Sequence, residues 1–240
     1  MFFFCKPKTV TLDAFTTRPQ LVELLAPDYA NKFKPKWWYD IPTKEKITLP
    51  SGISAESNTM KRCRGFKDYY SNAAIVIPLW DSFVLEFTNN GHRHSFASNE
   101  SILEYQIDLQ RGPEYLKEFH QLKLGSPWRF KEKSGINFLF TQAFYNFKDP
   151  TSFVMPPAIV NYRYQTATEV NFFVRKPTDD SIGRIEFEAG HPLVHLTPLT
   201  EKRLVIKTHV VSEVELKKID PPFVFFAGKY SKNIRLGYGK

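Results

Sequence analysis

Short runs of alternating apolar and polar residues, each closed by Pro, Gly, Asn or Asp, recur from Ser126 to Pro198. Successive side chains of a strand point to opposite faces, so each run makes a ribbon with one apolar side. Such ribbons must cover one another, and many short ones joined by tight turns leave a sandwich or a barrel. The chain therefore reads as all-β: a jelly-roll-like β-sandwich with short helices and extended N- and C-terminal arms. Strands are predicted at 9–15, 74–79, 83–88, 94–97, 102–109, 122–124, 128–131 and 136–142. Others are predicted at 158–164, 169–175, 183–187, 192–198 and 204–211. Short helices are predicted at 18–25, 66–71, 114–120 and 213–218, the last with Ser212 as its cap. Residues 50–57 are small and polar and read as a loop. With 240 residues, such a fold buries a sizeable core without disulfides or metal. Its 22 Phe, 11 Tyr and 4 Trp suit pleated, half-buried surfaces.

The spacing divides the chain into an N-terminal arm with the first strand (1–57), a sandwich core (58–219) and a C-terminal arm (220–240). The net charge of +8 follows this division. Residues 1–72 carry +5, 73–150 carry −1, 151–219 carry +1 and 220–240 carry +3. Basic ends on a neutral body suit contact with an acidic protein surface or with nucleic acid. Solvated lysines that only keep the chain soluble would give the same tally. Cys5 and Cys63 form no Cys-x-x-Cys spacing and read as free thiols of a reducing compartment. The longest apolar run, Ala73–Trp80, is broken by Pro78 and falls far short of the roughly 20 residues a membrane span needs. A soluble protein made in the cytoplasm, with no membrane partner, is expected.

Candidate contact residues lie in both arms. Lys34, Lys36, Trp37 and Trp38 sit in a stretch with two prolines that reads as an extended arm anchored by its indoles. Lysines interleaved with aromatics can also stack on single-stranded nucleic acid. In the tail, Phe223, Phe225 and Phe226 precede Lys229, Lys232 and Arg235. That segment either folds back on its own sheet or adds to the exposed edge of a neighbouring subunit. The histidines give the strongest catalytic signal. His92 and His94 share one face of a strand and Glu100 follows, as in the metal-binding cupin barrels, although the gap before the Glu is longer than theirs. A solvent-facing hairpin is the competing reading. No phosphate loop, nucleophile elbow or His-Glu-x-x-His helix occurs, so neither an enzyme nor a cofactor is expected.

One further pattern lies in the order of the motifs. Lys61-Arg62-Cys63-Arg64-Gly65-Phe66 is followed by Ile75-Val76-Ile77-Pro78-Leu79-Trp80. Ser126-Pro127-Trp128, Gly135, Leu139-Phe140-Thr141-Gln142 and the Gly190–Pro198 strand come next. Over residues 20–210 this order resembles a group of uncharacterised proteins encoded by tailed bacteriophages, marine ones especially. The chain departs from the pattern at His195, where Gln is expected, and at Asn161-Tyr162, where an acidic residue precedes the Tyr. The resemblance implies a β-sandwich protein of the virion (capsid, neck or tail) that meets other virion subunits and copies of itself. It supplies no catalytic residues. Removing residues 220–240 is then expected to leave a cooperative melt and to weaken assembly. Loss of the cooperative melt would place the tail in the core.

Overall fold

The computed structural model describes residues 9–98, 101–105, 114–149 and 151–219. The chain opens with β1 (Thr9–Thr16), α1 (Pro19–Leu24) and β2 (Asp28–Tyr29). A 3₁₀ turn (Ala30–Phe33) leads into α2 (Lys36–Asp40), β3 (Lys44–Thr48), β4 (Ser54–Asn58) and α3 (Arg64–Tyr69). β5 (Ile75–Pro78), β6 (Phe83–Phe87), β7 (His92–Phe96), β8 (Leu103–Tyr105) and β9 (Phe119–Leu124) follow. The second half holds β10 (Arg129–Glu132), β11 (Phe138–Gln142), β12 (Ala158–Val160) and β13 (Val170–Arg175). β14 (Gly183–Phe187), β15 (Pro192–Pro198), β16 (Arg203–Val210) and α4 (Glu213–Ile219) complete it.

These strands build an all-β, sandwich-like fold. The largest sheet has the order β12-β11-β15-β5-β2, and every pairing in it is antiparallel. Three-stranded sheets run β10-β1-β16, β13-β9-β8 and β14-β6-β7. Among the described residues, the ribbon β3-β4 pairs with no third strand. All four larger sheets send side chains into one core. Val10 and Leu12 come from β1, Ile75 and Ile77 from β5, Leu85 from β6, Leu122 from β9 and Phe172 from β13. Alternation produces this directly: Val10, Leu12, Ala14 and Thr16 are buried, while the residues between them are less so.

β5 and β15 are exceptions, and they position the candidate site. All four residues of β5 are buried. Ile75 and Ile77 face the main core, whereas Val76 belongs to a second, smaller cluster on the other side of the sheet. Sheet strands covered on both faces lose the alternating pattern.

The turn after β10 is held by a buried carboxylate. Glu132 accepts hydrogen bonds from the backbone N–H of Ser134 at 2.7 Å, Gly135 at 2.6 Å and Ile136 at 3.1 Å. Gly135 has φ of 80°, the left-handed conformation this tight reversal demands. Asn161, also buried, donates its amide to Gly135 O and Asn137 Oδ1, each at 2.9 Å, while its Oδ1 accepts from Arg163 N at 3.1 Å. A carboxylate at 161 has no hydrogen for those two contacts, so an amide fits this turn. At the other end of the fold, Ser212 and Glu215 form a reciprocal cap on α4.

Several expectations are corrected. The stretch at 32–42 is not extended: it makes the 3₁₀ turn and α2. The predicted loop at 50–57 is a turn followed by β4. Residues 114–118 form a 3₁₀ turn rather than the start of a helix reaching His120, which lies in β9. The first strand belongs to no arm. β1 sits at the centre of its sheet, antiparallel to β10 and parallel to β16 over eight residue pairs. A boundary at residue 57 therefore does not follow the sheets.

Glu132→Ala is expected to destabilise the fold by about 2–4 kcal/mol, because three backbone donors lose their acceptor together. Glu132→Gln, which keeps one oxygen, should fall between the two. Urea unfolding measures both; a loss within about 0.5 kcal/mol for Ala, the range of ordinary surface changes, would show that the turn does not depend on this side chain.

Candidate interaction surface

The outer face of β5 and β15 is covered by rings. Trp38 stacks on Phe66 at 4.2 Å between centroids, and Trp37 meets the edge of Phe66 at 5.3 Å. Tyr145 closes the group at 5.0 Å from Phe66. Tyr69 lies flat on His195 at 3.7 Å with 8° between the planes. Polar tips are satisfied. Trp37 Nε1 donates to Tyr145 O at 3.1 Å, Tyr69 OH to Gln142 O at 3.1 Å, and Tyr70 OH to Asn146 Oδ1 at 2.6 Å.

His195 is fully buried. Its Nε2 lies 2.8 Å from the Tyr69 carbonyl, which only accepts, so that nitrogen carries the proton. Nδ1 then accepts from the Thr197 hydroxyl at 3.2 Å. Burial drives its pKa down to about 4, against the opposing pull of the Tyr69 carbonyl. Burial likewise pushes the Tyr69 phenol up to about 12. Both rings are neutral over the physiological range and act as packing groups.

This cluster pins the two helices that flank β3 and β4. α2 enters the ribbon and α3 follows it, and Lys61 Nζ, from the 3₁₀ turn Met60–Arg62 ahead of α3, donates to Tyr39 O at 3.0 Å and Ile41 O at 2.9 Å at the end of α2. Between these anchors the ribbon stands off the body: every residue from Pro42 to Ile53 is exposed. Its turn is Leu49-Pro50-Ser51-Gly52-Ile53. Gly52 N donates to Leu49 O at 2.8 Å, and Leu49 N to Ile53 O at 2.9 Å. Pro50 fits the second position of such a turn, and Gly52, with φ of 77°, supplies its left-handed residue.

The ribbon has two unlike faces. Lys46 lies opposite Glu56, and Lys44 Nζ reaches Glu56 Oε2 at 2.9 Å, so that face is charged. Ile47 lies opposite Ala55 on the other face, flanked by Leu49 and Ile53. Ile47, Leu49 and Ile53 keep 40%, 40% and 63% of their surface in solvent. At the root, this face borders an open recess of about 660 Å³ in which Trp37, Ile41, Ile47 and Met60 stand beside Asp40 and Glu45.

The predicted contact residues meet different fates. Trp38 is buried against Phe66 and Trp37 is half-buried, so the indoles pin their own segment and present no open stacking platform. Lys34 is half-buried and Lys36 exposed beside them. Phe223, Phe225, Phe226, Lys229, Lys232, Arg235 and Glu100 lie outside the described residues. The residues missed in the sequence are Ile47, Leu49 and Ile53. Their signal was the alternation on either side of Pro50-Ser51-Gly52.

His92 and His94 do share a face, with ring centroids 5.9 Å apart, on the β6–β7 hairpin. Tyr105 stacks on His92 at 5.4 Å, and His120 from β9 comes within 6.0 Å of it. Partial burial, then the neighbouring His120 and His94, hold the His92 pKa down. Among the described residues, no group of three His, Cys, Asp or Glu is placed to hold a metal ion. A second cleft, of about 430 Å³, lies between β14 and the 147–153 segment, with Phe147, Phe153, Phe187 and His191 in its wall. There the Ser152 hydroxyl donates to the Asp149 carbonyl at 2.9 Å. No described helix is long and apolar enough to cross a membrane.

Comparison with protein-family models and with curated proteins finds no match. Among solved structures, the chain is similar to a point mutant of the dUTPase of Staphylococcus bacteriophage 80alpha, at 11% identity and a TM-score of 0.27. That match covers 49% of this chain and 97% of the other. A likeness at this level bears on neither site nor activity, and the fold assignment rests on the sheets themselves.

The His195 environment predicts a pH dependence. In the unfolded chain this histidine takes a proton near pH 6.5, in the folded protein only near pH 4. Its contribution is therefore complete above pH 6.5 and is lost as pH falls towards 4, up to about 3 kcal/mol. His195→Gln, which keeps a donor for the Tyr69 carbonyl, should flatten the fall in melting temperature over that range. An unchanged pH profile in the variant would mean that other groups set it.

Proposed function

We propose that the protein is a structural or assembly component of a bacteriophage particle, and that the β3–β4 ribbon grips neighbouring subunits, copies of this chain among them. The observation that carries this reading is the ribbon's isolation. A two-stranded hairpin is marginally stable in water unless a further strand or a packing surface covers it. Here, among the described residues, the body covers only its root, and the turn places Leu49 and Ile53 at the far end. Three contiguous exposed aliphatic residues on a projecting arm mark a protein-contact surface better than scattered ones do.

The resemblance of the motif order to that of tailed-phage proteins supports the particle setting. The division of charge supports contact through the ends of the chain, since the main body is close to neutral. The aromatic cluster supports a role for the ribbon in gripping: it fixes the root, so little orientational freedom is lost when the tip is held.

Replacing residues 44–58 with a short Gly-Ser linker tests the reading by sedimentation and by thermal melting. The expected result is a melt close to that of the parent chain and loss of self-association. A linker variant that associates like the parent would move the contact surface elsewhere.

A further inference from the structure

The ribbon also carries the rule by which copies would join, an inference that rests on the reading above. Its hydrogen bonding fixes which backbone groups are spare. Leu49 N donates to Ile53 O, and Thr59 N to Thr43 O at 3.2 Å. With the register Thr48↔Ser54 to Lys44↔Asn58, these are the two ends of one antiparallel ladder. Bonded and non-bonded pairs alternate along such a ladder. The bonded pairs are therefore Thr43/Thr59, Glu45/Ser57, Ile47/Ala55 and Leu49/Ile53. The intervening residues turn their N–H and C=O groups outwards: Lys44, Lys46 and Thr48 on β3, and Ser54, Glu56 and Asn58 on β4. Among the described residues no strand pairs with either outer edge.

The two edges differ in charge. β3 offers Lys44 and Lys46, and β4 offers Glu56. Antiparallel pairing of two β3 edges about their centre sets Lys46 against Lys46. Pairing two β4 edges sets Glu56 against Glu56. Like charges directly opposite one another are destabilising. Adding β3 of one copy to β4 of the next instead repeats the Lys46–Glu56 match already present within the ribbon. It also carries the Ile47–Ala55 stripe on unbroken. We infer that copies of this chain join head to tail by β-augmentation, the β3 edge of one ribbon pairing antiparallel with the β4 edge of the next. Such an interface is heterologous, so it closes into a ring or runs on as a filament, and does not stop at a two-fold dimer.

Proline tests this, because a strand edge tolerates it where the N–H points outwards. Lys46→Pro blocks the β3 edge and leaves β4 open. Glu56→Pro does the reverse. Each variant alone is expected to sediment as a monomer, and an equimolar mixture to give a one-to-one dimer and nothing larger. Slow amide exchange at Ile47 and Ala55 checks that the ribbon is intact. If either proline melts it, a charge pair decides instead: Lys44→Glu/Lys46→Glu and Glu56→Lys should each associate poorly alone and assemble when mixed. Dimers of a single proline variant, or a mixture that stays monomeric with the ribbon intact, would overturn the head-to-tail rule. So would charge variants that fail to rescue one another. Loss of association in the linker variant without this complementation would leave the ribbon as the contact surface and remove only the pairing rule.

Discussion

A sheet strand that is apolar on both sides needs two coverings, and β5 and β15 impose that condition here. Ile75 and Ile77 are served by the main sandwich. Val76 and His195 face the other way and are covered by rings from α2, α3 and Tyr145. Those helices are only five and six residues long and would not persist in water by themselves. They exist because the sheet face must be covered and because Trp37, Trp38, Phe66 and Tyr69 supply enough ring surface to do it. The placement of the projecting ribbon follows, since both of its ends are tied into that covering.

What could be read from the sequence tracks how local the cause is. The strands Gly183–Phe187 and Pro192–Pro198 were legible to the residue, because turn residues bound them and alternation or β-branched content fills them. The α4 cap was legible because Ser212 and Glu215 lie three apart. The stretch Lys32–Pro42 was not. Its two prolines argue for an extended chain, and the contacts that wind it into turns come from Phe66 and Tyr145, far along the sequence. His120 was assigned to a helix for a similar reason: a local helical reading gave way to pairing with Val174 in the neighbouring strand.

The candidate site was hidden in another way. Charge drew attention to the ends of the chain, but the ribbon, with Lys44 and Lys46 set against Glu45 and Glu56, has none to show in a tally. Its apolar face comprises only Ile47, Leu49, Ile53 and Ala55, and the polar residues between them make it resemble a loop. Only the lack of a covering element among the described residues marks it out, and that is a property of the fold alone. His195 has the opposite character. As a histidine it suggests chemistry, yet it makes the kind of contact a glutamine could make, a donated hydrogen bond to the Tyr69 carbonyl.

The pairing of β1 with β16 has a consequence in time. A ribosome makes β1 well before its parallel partner, which lies some 190 residues later, as in the pair Thr9↔Arg203. Local segments, such as the β6–β7 hairpin, can settle while synthesis continues, whereas the centre of the three-stranded sheet has one side open until β16 is made. Closing so long a loop adds entropy cost only slowly with its length, so the finished pair is not much weaker for the wait. The vulnerable species is the nascent chain, with an eight-residue apolar-faced strand still short of its parallel neighbour, and β16 is the strand that relieves it.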